Sequence, residues 1–245
     1  MKKTLLITGA GGEIGFNTFI KLVNEEYFVI ASSKNKNKFY KQIKAMKVKQ
    51  KNYTFVPIDL SNLKSTENTI NKLNKKYGLI SYYVNCAGIV NRKNFLDENY
   101  EEYEKVINVN HNAQMLIIKH LLPSMIKNKF GKIVNLSSQM AKIPHPNAAP
   151  SYEISKSSTN TLTRHLVSHY SKYNINFNIV SPGTIKSPMQ KTMKKKKLEE
   201  LKNNIPSKRL GDASEVADLI SFLLSNKSNY INGAQINING GSLLD

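Results

Sequence analysis

A chain of 245 residues with 40% hydrophobic content is long enough for one sizeable core and is compatible with a single domain, 1–245. It has no run of about 18 apolar residues, which excludes a membrane-spanning helix. Its one cysteine, Cys86, excludes an internal disulfide and points to a reducing, cytoplasmic setting. Lys+Arg number 36 against 17 Asp+Glu, a formal charge of +19. Such a balance suggests polyanionic partners: nucleic acid, an acidic carrier protein or phosphorylated cofactors. Nearly all of the positive charge is lysine, however, and the arginines are Arg92, Arg164 and Arg209. Specific nucleic-acid readers rely on arginine forks, so that partner is disfavoured. The densest run, Lys194 to Lys197, reads as a solvated helix face.

The start, MKKTLLITGA, has the charge order of a signal peptide, but its apolar part is short and runs straight into a glycine turn. It reads as a first buried strand, TLLIT at 4–8. The turn TGAGGEIG follows, with Gly9, Gly11, Gly12 and Gly15 ahead of a helix predicted to start near Ile14. Glycines there permit close backbone approach, and a helix N-terminus offers free N–H groups to a pyrophosphate. Glu13 stands where an anion is expected nearby; its side chain is expected to point away from the phosphates.

The second strand, YFVIAS at 27–32, is followed by Ser32-Ser33-Lys34 and then Lys36 and Lys38, with no acid. An acid would bind the ribose 2′-hydroxyl of NAD, whereas a cation welcomes a 2′-phosphate, so NADP(H) is favoured. Asp59-Leu60 follows the third strand (YTFVPI, 53–58), and Asn85-Cys86-Ala87-Gly88 follows the fourth (LISYYV, 79–84). Both lie at strand carboxyl ends, where open α/β sheets bind ligands. Asp59 has the alternative reading of a helix N-cap. Cys86 reads as a small packed residue rather than a nucleophile, since no histidine or CxxC pattern supports reactivity.

A long helix is predicted over 98–129. The fifth strand, KIVNLSS at 132–138, is followed by a second long helix at 152–172, then by strands NINFNIV at 174–180 and AQINI at 234–238. Strands alternating with helices give a Rossmann-type doubly wound parallel sheet of seven strands with helices on both faces. The least patterned part, 184–212, reads as an insertion that covers the substrate. In SYEISKS, Tyr152 and Lys156 are four apart at a helix start and share a face. A lysine ammonium near a phenol with an ordinary pKa of about 10 favours the phenolate. No metal site is expected.

These pieces together resemble the short-chain dehydrogenase/reductase (SDR) family over essentially the whole chain. The matching segments are TGAGGEIG, Asp59-Leu60, VNCAG, VNHN, NLSS, YEISK, VSPGTIKS and INGAQINING, in the family's order. The resemblance implies an NADP(H)-dependent oxidoreductase that transfers hydride between nicotinamide and a carbonyl or secondary alcohol. It places the catalytic positions at Asn110, Ser138, Tyr152 and Lys156. Tyr152 is then the general acid, Ser138 orients the carbonyl oxygen, Lys156 lowers the tyrosine pKa and holds the nicotinamide ribose, and Asn110 holds a water of a proton relay. Pro182, Gly183, Thr184, Ile185 and Ser187 border the nicotinamide; Ile14, Ser33, Leu60, Asn85, Ala87 and Gly88 complete the cofactor contacts.

Departures from the family pattern are Glu13 in place of a glycine, Cys86 in place of an asparagine, and Gly12 where NADP users often carry a basic residue. The carboxyl-terminal segment is similar to bacterial 3-oxoacyl-ACP reductases and to sugar and alcohol dehydrogenases. In the former, two basic residues dock the acidic carrier protein, and Lys129 and Lys172 occupy matching places. The resemblance also implies a homotetramer or homodimer built on the two long helices, where Ile117, Ile118, Leu121 and Leu122 serve core or interface. Two alternatives stay open: a dehydrogenase or reductase of a sugar or nucleotide sugar in surface-polysaccharide synthesis, and a non-catalytic dinucleotide sensor or nucleic-acid binder.

Overall fold

The computed structural model describes residues 3–49, 52–144, 148–187 and 193–244. Seven strands form one parallel sheet in the order β3-β2-β1-β4-β5-β6-β7: β1 (Lys3–Thr8), β2 (Tyr27–Ser33), β3 (Tyr53–Pro57), β4 (Tyr82–Asn85), β5 (Gly131–Leu136), β6 (Ile175–Pro182) and β7 (Gln235–Ile238). Between them run α1 (Glu13–Val23), α2 (Lys36–Ala45), α3 (Leu63–Tyr77), α4 (Tyr100–Ile107), α5 (Ala113–Asn128), α6 (Pro150–Tyr170), α7 (Lys195–Asn203) and α8 (Ala213–Leu224). This is the doubly wound architecture expected from the alternation of strands and helices.

The strands read as continuous apolar runs because both faces of the sheet are covered. Successive residues of β1 divide between the two cores. Leu5 and Ile7 join Phe16, Phe19 and Leu22 of α1 and Val216, Ile220 and Leu223 of α8. Leu6 joins Ile70 of α3, Ile117 and Leu121 of α5, and Leu166 of α6. Ile117, Ile118, Leu121 and Leu122 are therefore core residues. An aromatic cluster closes the outer corner: Phe39 of α2 packs against Phe19 at 5.0 Å and Phe55 at 4.7 Å between ring centroids.

Two predicted elements differ from the structure. The apolar run at 79–84 contributes strand only from Tyr82, because α3 ends at Gly78 in a positive-φ conformation (66°) and Leu79 to Ser81 turn the chain back toward the sheet. The helix predicted over 98–129 is interrupted by a π-helical turn at Asn108–Asn112, between α4 and α5. The run Lys194 to Lys197 caps and opens α7 and is exposed, as a solvated face should be. Among the described residues, no helix is long and apolar enough to cross a membrane.

One buried cation belongs to the fold rather than to the site. Lys132 on β5 is 1% exposed. Its Nζ donates to the carbonyl of Ser225 and, at 2.7 Å, to Oδ1 of Asn229, tying the sheet to the turn after α8. Burial lowers its pKa. Lys132→Met leaves those acceptors unpaired, and stability in urea denaturation should fall by about 2 kcal/mol or more. An unchanged midpoint would show that water replaces the ammonium without cost.

Candidate active site

The strand order reverses between β1 and β4, and their carboxyl ends open a crevice there. A cavity of about 270 Å³ runs along it, lined by Gly9, Gly12, Ser33, Lys34, Asp59 and Ala87 among others. Two glycines are dictated by space. A Cβ on Gly9, which has φ 73°, would fall 2.6 Å from the Ala87 nitrogen, and one on Gly15 would fall 2.1 Å from the Gly9 carbonyl oxygen. Gly12 is the N-cap of α1 with no side chain to cap it, so the first amides of that helix stay free for a ligand. Glu13 opens α1, is exposed, and lines neither cavity that flanks Gly12. A carboxylate in a first helical turn also suits the helix dipole.

On the β2 side, a second cavity of about 600 Å³ is lined by Gly11, Gly12, Ser33, Lys34, Lys36 and Lys38, together with two asparagines. Lys34 Nζ lies 2.7 Å from Asp59 Oδ2. Asp59 Oδ1 accepts from the Ser61 hydroxyl at 2.7 Å and its amide at 3.1 Å. The Lys34 hydrogen bond is the first cause holding the Asp59 carboxyl below its usual range. Asn62, not Asp59, caps α3, accepting from the Ser65 amide at 2.9 Å. Asn85 is tied to β1 through Thr8, whose hydroxyl donates to its Oδ1 at 2.7 Å. Burial pushes the Cys86 thiol up to about 12, so it stays protonated, as a packing residue would.

The residues of the expected catalytic set meet at the carboxyl end of the sheet. A cavity of about 240 Å³ is lined by Gly88, Ser138, Tyr152, Lys156, Pro182 and Gly183, with Ile14 and Ile185 at its sides. Ser138 follows β5 and hydrogen-bonds Tyr152 in the first turn of α6. Burial raises the Tyr152 phenol above its ordinary value; Ser138 and, after it, the charge of Arg92 act in the opposite direction. Lys156 Nζ donates to the Leu136 carbonyl at 2.8 Å and lies 5.8 Å from the Tyr152 ring centroid. Its pKa is lowered to about 8 by burial.

Asn110 is fully buried in the π turn. Its Oδ1 accepts from the Ile89 amide at 2.8 Å, and its Nδ2 donates to the Ile89 carbonyl at 2.9 Å and to Ser155 Oγ at 3.0 Å. Ser155 in turn donates to the Tyr152 carbonyl at 2.7 Å. Gly88 lies beside both groups: a Cβ there would sit in ordinary contact, 3.4 Å from Lys156 Nζ and 3.6 Å from Asn110 Oδ1.

Some expected residues lie elsewhere. Thr184 lines a separate small cavity with Arg209 and Glu215. Ser187 is partly buried and does not line the catalytic cavity; it adjoins residues 188–192, outside the described residues. Leu60 lines the crevice beside Asp59. Lys129 ends α5 in a left-handed conformation, and its carbonyl accepts from Asn174 Nδ2 at 3.1 Å. Lys172 stacks on Tyr173 at 5.4 Å, in the turn after α6. Both lysines therefore sit where β5 and β6 begin, the length of a strand away from the catalytic cavity. Residues missed in the sequence are Ser155, hidden as an ordinary serine beside the lysine, and Arg92, whose nearness to Tyr152 depends on how its loop packs.

The match to known proteins extends over the same framework. A family model described as Enoyl-(Acyl carrier protein) reductase (adh_short_C2) matches residues 9–242. The 3-oxoacyl-[acyl-carrier-protein] reductase FabG of Thermotoga maritima is 33% identical over 245 residues, covering 99% of this chain and 98% of that protein. The protein of the same name from Buchnera aphidicola is 30% identical over 240 residues, covering 98% and 97%. Among solved structures, ElxO with NADP bound superposes with a TM-score of 0.90 at 28% identity, covering 99% of both chains. A 3-oxoacyl-[acyl-carrier protein] reductase from Brucella melitensis gives 0.89 at 25% identity, covering 99% and 92%. The chain belongs to the short-chain dehydrogenase/reductase family, the NAD(P)-dependent oxidoreductases that interconvert CH–OH and C=O groups.

Proposed function

We propose that this protein reduces a carbonyl with NADPH, and that its substrate is a 3-oxoacyl group presented on an acyl carrier protein. The observation that carries the chemistry is the meeting of Ser138, Tyr152 and Lys156 at one cavity beside a crevice shaped for a dinucleotide, with Asn110 bonded to the Ile89 backbone behind it. The fit to the cofactor rests on the bare turn at Gly9 and Gly15, the free amides of α1, and the lysines beside Gly11 and Gly12. Bound there, the nicotinamide supplies the hydride. Similarity to FabG proteins supports the substrate.

The protein's own part is proton supply and positioning. A buried phenol with a raised pKa stays protonated near neutrality, as a general acid must. Its hydrogen bond from Ser138 fixes where the substrate oxygen is received. Asn110 has both side-chain amide hydrogens engaged, so it acts as a brace between the Ile89 backbone and α6. The substrate-covering reading of 184–212 falls partly on residues 188–192, outside the described residues; of the rest, Lys195–Asn203 form α7. The family resemblance supports an assembly of several copies.

One observation favours a second reading. Lys129 and Lys172 lie at the far end of the sheet from the cavity in their own chain. A carrier docked on them reaches a catalytic cavity only in a neighbouring subunit. A single chain acting alone fits a free keto-sugar or nucleotide sugar instead.

The decisive assay offers NADPH with acetoacetyl-ACP and, separately, a panel of keto-sugars. Rapid turnover of the thioester is expected, and Tyr152→Phe should lower it by about 10²-fold or more with NADPH binding retained. Substantial activity in that variant would sink the assignment of the acid, and turnover of keto-sugars alone would replace the substrate. Because Lys156 gives up its proton near pH 8, the reduction rate should fall as pH rises through that region; a flat profile to pH 9.5 would remove lysine's charge from the mechanism. Lys34→Glu should raise the KM for NADPH about tenfold and spare NADH, as loss of a charge-assisted contact predicts; equal effects on both would show that Lys34 does not read the 2′-phosphate.

A further inference from the structure

A cavity of about 610 Å³ opens at the amino-terminal end of the sheet, opposite the catalytic cavity. It lies between the starts of β1, β2 and β4 and the residue before β5. Three buried hydroxyl-bearing side chains line it. Thr4, Ser81 and Tyr82 are 6%, 5% and 4% exposed. Among the described residues none of their side-chain oxygens makes a hydrogen bond, yet none is sealed from solvent. The cavity that these residues line offers such a partner, since buried hydroxyls are nearly always paired.

The walls and rim narrow the chemistry. Tyr77 packs on Phe28 at 5.5 Å on one side, and Phe130 meets the Tyr82 ring at 5.5 Å and 70° on the other. Lys76 stands at the rim, 5.2 Å from the Tyr77 ring centroid, and has no carboxylate partner among the described residues. The other rim cation, Lys3, is shared with Glu26 at 3.0 Å. Aromatic walls accept a flat apolar body, and the hydroxyls with one unneutralised ammonium accept an anionic head. None of these groups takes part in the reduction.

We propose that this cavity is a second ligand site, specific for a small aromatic carboxylate. The carboxylate meets Lys76 and the hydroxyls of Ser81 and Tyr82, and the ring lies between Tyr77 and Phe130. The site is independent of the substrate reading above.

The test titrates the intact protein with 4-(trifluoromethyl)benzoate and follows the fluorine resonance by NMR, with and without saturating NADPH. Binding with a Kd near or below about 1 mM is expected, as for a small ligand that buries most of its surface. It should be unchanged by NADPH and by Tyr152→Phe. Lys76→Glu, an exposed position that folding tolerates, should weaken it about tenfold or more through like-charge repulsion. Ser81→Ala and Tyr82→Phe should each weaken it several-fold. Absence of binding, displacement by NADPH, or equal affinity in Lys76→Glu would each overturn the proposal. So would equal affinity for the uncharged 4-(trifluoromethyl)benzamide.

Discussion

At the carboxyl ends of β1 and β4 the two strands approach so closely that Gly9 leaves no room for a side chain against Ala87. The Thr8 hydroxyl and Asn85 Oδ1, paired at 2.7 Å, hold that approach from inside the sheet. Everything functional depends on this contact. It closes the floor of the crevice, fixes the turn that leads into α1, and sets the height of Cys86 to Ile89 above the sheet. Ile89 then meets Asn110 through both its amide and its carbonyl, so the geometry of the nucleotide end passes by direct contact to the catalytic end.

The second constraint is a buried stripe of hydroxyls along α6. Ser151, Ser155, Thr159 and Thr163 recur every four residues, and all are buried. Each finds a partner on another element: Glu98, Asn110, Gln114 and Asn135 respectively. An apolar stripe would bury the same helix but tolerate sliding. Hydrogen bonds at fixed spacing set both rotation and register, because a shifted helix would strand several polar groups at once. Tyr152 and Lys156 ride on this stripe, so their positions relative to Ser138 and the π turn follow from groups that never touch a substrate.

Charge acts at a different scale. The excess of 36 Lys+Arg over 17 Asp+Glu creates a positive field around the molecule. Individual lysines then divide by position. Lys34 is held by Asp59 at the mouth of the crevice. Lys132 is buried and structural. Lys156 is buried beside the Tyr152 ring with its pKa lowered to about 8. Lys195 to Lys197 of α7 stand in solvent. Burial, rather than residue type, separates these roles.

The sequence by itself determined the alternation of strands and helices, the glycine turn, and the order of the segments that line the site. These are local properties: apolar runs, turn chemistry, and residues at strand ends. It also marked Tyr152 and Lys156, which helical spacing puts on one face and which the family resemblance of the surrounding segments singled out. Tertiary structure decided the rest. The π turn at 108–112 replaces a continuous helix where α4 and α5 pack against Ile89 and α6, contacts distant in sequence. Leu79 to Ser81 look like strand but serve as the turn into it, since pairing with β1 begins only at Tyr82. Lys34 pairs with Asp59 only because β2 and β3 end side by side. Lys129 and Lys172 fall at the far end of the sheet from their own catalytic cavity, because strand direction in a parallel sheet fixes which loops share an end. Spacing along a chain carries no record of that direction until the strands are laid together.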